Sequence, residues 1–189
     1  MKKIINISLL IIGSSLCLHA SWLPIKGWLS EQLISYSWHQ TTISQQKIKP
    51  WPWADTYPIA KISFERLNKK VVVLNGGDPT TLAFSAGAIA PFNQASGTQP
   101  FVVAGHRDSH FSFLNEVLMN DIISLADKYG QNQLYQVEAI DIVDASTGKL
   151  PMLAEDSPLV LITCYPFEAL GSGSGTDKNE RYVITAKRL

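Results

Sequence analysis

Three side chains in this 189-residue chain have types and positions that can act jointly on an acyl group: His106, Cys164 and Arg181. Cys164 ends the aliphatic run "LVLITC" and is followed at once by Tyr-Pro-Phe. Pro166 has no backbone N–H to give to a ladder, so the strand is expected to stop near Cys164 and leave the thiol at a sheet rim. Arg181 opens "RYVITAK" 17 residues later, and His106 closes "FVVAGH" 58 residues earlier. Groups at the ends of three strands meet at one rim when those strands are neighbours. There a thiolate attacks a carbonyl, an imidazole protonates the departing amine, and a guanidinium faces the oxyanion. Each residue also has a plainer reading: a small core residue, a local hydrogen-bonding turn, a solvated charge.

Other chemistries fit less well. His106 and His110 have the H-x-x-x-H spacing of a zinc pair, but Arg107 stands where the helical protease motif has Glu, and no third ligand is visible. The "GSGSG" run at 171–175 lacks the Lys-Ser/Thr end of a phosphate loop and reads as a mobile loop. No EF-hand array is visible, so neither cofactor nor metal is expected. Lys and Arg total 16, as do Asp and Glu, and residues 21–189 keep 14 basic against 16 acidic side chains. Without a basic patch, a nucleic-acid partner is not expected.

The elements that must position the three groups read mainly as strands. Ile59, Ile62 and Phe64 mark a first strand and "KKVVVLN" a second, stopped by Gly76-Gly77. "PFVVAGH", "DIISLAD", "QLYQVEAIDIVD", "PLVLITC" and "RYVITAK" continue the series, with a shift of apolar phase between Ala139 and Ile140 that implies a bulge. "HFSFLNEVLMN" has helical spacing and predicts one short helix. Together these imply a closed or nearly closed β-barrel with one or two short helices.

Ahead of the barrel, Lys2-Lys3 and an apolar run predict a signal or membrane anchor over 1–25. A cut after Ala20 would put bulky Leu18 at −3, which favours an uncleaved anchor with the remainder exported. Residues 26–45 predict an amphipathic connecting helix, its stripe being Ile25, Trp28, Leu29, Leu33 and Tyr36, packed on the domain or lying at the membrane surface. "IKPWPWADTYP" is too aromatic for a flexible linker and predicts an ordered, extended lead-in to a domain over 46–189. Cys17 falls in the export segment, so Cys164 has no intramolecular partner in the domain, and a lone thiol in an oxidising compartment favours a chemical role.

At this point a family resemblance becomes specific. "VLITC" is similar to the T-L-x-T-C signature of sortases, with Val160 in place of the first Thr; "VVAGHRDSHF" resembles their histidine segment, and Arg181 matches the arginine opening their last strand. "WPWADTYP", "TLAF" and "TCYPF" resemble the Gram-negative sortases of class GN. The resemblance runs from about Trp51 to Leu189. Asn120-Asp121 departs from a frequent Gly-Asp, which Asn tolerates because it adopts a left-handed turn readily. What the resemblance implies is an eight-stranded sortase barrel on an inner-membrane anchor, facing the periplasm. It implies a cysteine transpeptidase whose catalytic residues are His106, Cys164 and Arg181, with Thr163 and Tyr165 at the substrate. The Tyr165 N–H would join Arg181 at the oxyanion, and Asp108 either orients His106 or serves a local turn. The implied partners are an exported protein with a C-terminal LPxTG-like sorting signal and an unidentified amine acceptor. A hydrolytic cysteine peptidase and a non-catalytic peptide-binding barrel stay open as alternatives.

Overall fold

Alternation sets the first strand. In β1 (Pro58–Phe64), Pro58, Ala60, Ile62 and Phe64 point inward while Lys61 and Ser63 lie between them on the outer side. The computed structural model describes residues 2–97, 99–147, 158–167 and 179–189; the loop expected at 171–175 lies outside them. β2 (Lys69–Asn75), β3 (Ala86–Ala88), β4 (Phe101–Ala104), β5 (Ile122–Asp127), β6 (Asn132–Asp144), β7 (Leu159–Cys164) and β8 (Glu180–Arg188) complete a closed barrel. Around the wall the order is β1-β2-β3-β4-β7-β8-β6-β5. The pairs β2–β3 and β4–β7 are parallel and the rest antiparallel. The mainly-β, eight-stranded barrel expected from the sequence is the fold that forms.

β4 and β7 read as unbroken apolar runs because they are buried on both faces. Phe101, Val103, Leu159 and Leu161 join the interior with Ile62, Phe111, Leu125 and Ile184. On the outer side Val102, Val160 and Ile162 pack with Val183, under Ile89 and Phe92. These are the strands that lead to His106 and Cys164.

Two local expectations shift. The helix read at Phe111–Leu118 is a 3₁₀ turn, Ser112–Glu116, because the apolar residues there fill the barrel mouth: Phe113 meets Phe64 edge-on at 4.9 Å. The bulge lies at Glu138, between Val137 and Ala139, one residue earlier than the apolar phase implied. Two elements carried no periodic signal. β3 is only Ala-Gly-Ala, and α2 (Pro79–Phe84) is a six-residue helix held by its cap, where Asp78 accepts from the Thr81 N–H at 3.0 Å and from its hydroxyl at 2.6 Å. Asn120 takes the left-handed turn expected of it, with φ 70°.

α1 (Lys2–Ser44) is one uninterrupted helix, so the stretches expected as an anchor and as a connecting helix belong to a single element that runs through Pro24. Its C-terminal part docks on β1, β2 and α2. The face that docks carries Ile34, Ser37, Trp38 and Thr41, all buried, whereas Ile25, Trp28, Leu29 and Tyr36 of the expected stripe are exposed on the opposite side. Ser37 is buried at little cost because its hydroxyl donates to the Ile48 carbonyl at 2.6 Å, pinning the lead-in that follows. Within the lead-in, Trp51 packs edge-on to Phe84 at 4.8 Å.

Candidate active site

The rim is assembled by backbone register. Cys164, the last residue of β7, is paired with Arg181 of β8 in the antiparallel ladder. Directly opposed residues of such a pair emerge on the same face, roughly 5 Å apart at Cβ. On its other side β7 runs parallel to β4, with Ala104 level with Ile162. Two residues beyond that pair on each strand stand His106 and Cys164. The alignment persists past the ladder's end, since the Gly105 N–H donates to the Ile162 carbonyl at 3.1 Å and the Thr163 hydroxyl donates to the Gly105 carbonyl at 2.7 Å. The topology thus brings His106, Cys164 and Arg181 to one rim on three adjacent strands. Cys164 is half-buried, and His106 is exposed.

Thr163 and Tyr165, the two residues expected at the substrate, are both held by contacts within the wall. Thr163 is only 2% exposed, and its hydroxyl is spent on the Gly105 carbonyl. It positions the His106 segment against β7 from inside the wall. The Tyr165 N–H donates to the Glu180 carbonyl at 3.2 Å, so it continues the β7–β8 ladder instead of pointing at an oxyanion. The Tyr165 ring stacks on Tyr182 at 6.4 Å, and Phe167 meets Tyr182 edge-on at 5.1 Å. These rings form an aromatic wall just beyond Cys164. Burial, then the neighbouring Tyr165, pushes the Tyr182 hydroxyl above its ordinary pKa. Among the described residues no hydrogen bond joins Asp108 to His106; the turn there is closed by the Ser109 and Phe111 N–H groups, which donate to the His106 carbonyl at 3.4 and 3.0 Å.

Two neighbours of His106 do work that the sequence pattern did not disclose. A Cβ on Gly105 would sit 2.7 Å from the Phe111 ring, so only glycine lets that buried ring pack directly under the strand end. Arg107 reaches across the rim, its Nη1 donating to the Pro166 carbonyl at 2.6 Å, and so ties the histidine segment to the Tyr-Pro-Phe turn. The Ala-Gly before His106 and the Arg after it were the only available signals. The Arg181 Nη1 donates to the Glu180 carbonyl at 2.9 Å, which holds the guanidinium near the strand start.

His110 departs from the rim. It is half-buried in a cavity beneath α1, where burial lowers its pKa; the charge of Glu31 opposes that shift and the charge of His106 adds to it.

Comparison with known proteins places this geometry in context. The family description "Sortase domain" matches residues 62–189. The curated protein Sortase D of Bacillus subtilis (strain 168) is 27% identical over 129 residues, 68% of this chain and 62% of that protein. The chain therefore spans somewhat less than two thirds of that relative. Among solved structures, sortase A from Corynebacterium diphtheriae superposes with a TM-score of 0.59 at 24% identity, covering 72% of this chain and 63% of the other. Sortase C-1 from Actinomyces oris gives a TM-score of 0.59 at 24% identity, over 70% of this chain and 74% of the other. At these identities the structural likeness speaks for the fold.

Proposed function

This chain belongs to the sortase family, and from that premise we propose that it is a membrane-anchored cysteine transpeptidase acting at the rim where β4, β7 and β8 end. The observation that carries the reading is the pairing of Cys164 with Arg181 across β7–β8, with His106 two residues beyond the β4–β7 ladder. The Cys164 thiolate attacks the scissile carbonyl carbon, and the carbonyl electron pair moves onto oxygen beside the Arg181 guanidinium. Collapse of the tetrahedral species breaks the C–N bond; the His106 imidazolium gives its proton to the leaving amine, and a thioester remains. An incoming amine attacks the thioester, neutral His106 takes the amine proton, and the thiolate leaves as the new amide forms. With the Tyr165 N–H committed to the ladder, oxyanion stabilisation falls to Arg181.

The substrate in this reading is an exported protein with a C-terminal LPxTG-like sorting signal, and the acceptor is an amine. The Tyr-Pro-Phe turn and the "WPWADTYP" lead-in support an enzyme of the Gram-negative class GN type. Residues 1–25 are its single inner-membrane span, 26–45 the connecting helix, and 46–189 the catalytic domain facing the periplasm. Supporting the anchor, the stretch Leu9–Ser44 contains a helix long and apolar enough to cross a membrane.

The thioester is the testable species. Detergent-solubilised full-length protein, incubated with the sorting-signal peptide of an exported partner and hydroxylamine, should release the peptide hydroxamate, because hydroxylamine intercepts a thioester faster than water does. Product formation should be bell-shaped in pH, since turnover needs one ionised thiol and one protonated imidazole. Free acid as the main product despite hydroxylamine would assign a hydrolase. Binding with neither hydroxamate nor a Cys164 adduct would leave a peptide-binding barrel.

A further inference from the structure

α1 enters the barrel at its catalytic end. Glu31, Ile34 and Ser35 of α1 line a cavity together with Lys61, Lys69, Lys70 and His110, whereas Thr41, a few turns on, lines a second cavity with Pro58, Asn75 and Asp127. The first group lies where β1 ends, β2 begins and the His106–Phe113 segment closes the mouth; the second lies at the opposite mouth. A membrane crossed by the N-terminal part of α1 therefore faces the rim that carries Cys164.

The depth of the first cavity follows from the helix. Trp22, Lys26 and Trp28 mark the water interface, Trp22 and Trp28 being exposed and the Lys26 ammonium lying 4.8 Å over the Trp22 ring. Residues 31–35 stand roughly 5–10 Å further along the axis from Trp28 at 1.5 Å per residue. The polar headgroup layer is itself about 5–7 Å thick on each side of the hydrocarbon. The cavity mouth thus lies at the outer edge of the headgroups.

The charged side chains of its lining are mostly positive, among apolar residues such as Ile34, Val72 and Phe84. The volume is about 320 Å³, and three lysines and the Ser85, Ser109 and Ser112 residues line it against a single carboxylate, Glu31. Among the described residues none of the three lysines is held in a salt bridge. Lys61 and Lys70 lie on the outer face of the β1–β2 pair, where their neighbours are Val72 and Ser63 instead of acidic residues. Three unpaired lysines in one cavity stand out in a domain that is faintly acidic overall.

We infer that this cavity holds the phosphate of an anionic lipid headgroup, which seats the catalytic rim against the bilayer. This rests on the membrane-anchored reading above. Such seating would hold the rim at the height where a substrate with its own apolar span leaves the membrane.

The test is to reconstitute the full chain in nanodiscs of phosphatidylcholine with phosphatidylglycerol and count retained lipids by native mass spectrometry. Wild-type protein should retain phosphatidylglycerol selectively, and the triple variant Lys61→Gln/Lys69→Gln/Lys70→Gln should lose that selectivity by at least about ten-fold, as expected for removing several surface-facing cations. Lys26→Gln, which alters the interface outside the cavity, should keep it. Thermal melting of each variant separates loss of the site from loss of the fold. Equal retention of both lipids by the wild type, selectivity surviving in the triple variant, or loss of it in Lys26→Gln would each overturn the inference. Displacement of the lipid by inorganic phosphate at equal concentration would assign the cavity to free phosphate and overturn the lipid assignment. The hydroxamate assay in detergent reads the thioester chemistry without any bilayer, so failure of the lipid site and failure of the transpeptidase reading are distinguishable.

Discussion

Cys164 and Arg181 are neighbours through a ladder, not through a loop, and that makes their relative placement stiff. The guanidinium is held further by its bond to the Glu180 carbonyl. A lysine at this position keeps the charge but loses the planar fork, so it can offer an oxyanion a point charge without the paired donors. Arg181→Lys should therefore lower kcat/KM by at least about a hundred-fold, in line with loss of an oxyanion donor, with little change in melting temperature. Cys164→Ala should abolish hydroxamate formation while leaving the barrel folded, since Cys164 is only half-buried at a strand end. A Cys164→Ala protein with substantial turnover would remove the nucleophile assignment, and a merely two-fold effect of Arg181→Lys would remove Arg181 from the oxyanion.

At the scale of elements, the site depends on two strands that are parallel, adjacent and buried on both faces. β4 and β7 carry His106 and Cys164 to the same height, and the Thr163–Gly105 hydrogen bond locks the last step of that alignment. The seam leaves no room for a side chain at Gly105, where a Cβ would sit 2.7 Å from the Phe111 ring. Gly105→Ala should destabilise the protein by about 1–3 kcal/mol through overpacking, read from urea denaturation, and should depress turnover by displacing His106. Adding Phe111→Leu removes the ring and should recover part of both losses. Identical stability and activity in Gly105→Ala would show that the His106 segment adapts freely, contrary to this packing.

Across the whole molecule, α1 and the histidine segment meet at His110. The charged and titratable groups around its cavity are Glu31 from α1, Lys61 from β1 and Lys69 and Lys70 from β2, and the nearby His106 also bears on it. Because burial lowers the pKa of His110 in the folded state, the unfolded chain binds the proton more readily. Stability contributed by neutral His110 is present above its ordinary value of 6.5 and is lost as pH falls through the lower, folded value. Melting temperature measured from neutral to mildly acidic pH should fall for the wild type, and less steeply for His110→Asn. Parallel curves for the two proteins would show that the docking of α1 is not linked to this proton.

How much of this was legible beforehand depends on the range of the interactions involved. The strand end at Cys164 was readable because proline and unbroken aliphatic runs act on their own few residues, whereas β4 stops at Ala104, two residues short of the His106 expected to close it. The same locality made the apolar N-terminal segment readable, while the left-handed turn at Asn120 was expected only through the family resemblance. The three-residue β3 and the six-residue α2 are too short to show a period, and they exist because β2 and the cap at Asp78 hold them. The buried face of α1 could not be read from its hydrophobic stripe, since Ser37 and Thr41 are buried against the barrel while Trp28 and Leu29 are exposed. Residue types and order along the chain announced a cysteine, a histidine and an arginine suited to acyl transfer. Only closure of the barrel made β4, β7 and β8 neighbours and turned the Tyr165 N–H into a ladder bond, because pairing between distant strands depends on contacts that no local pattern encodes.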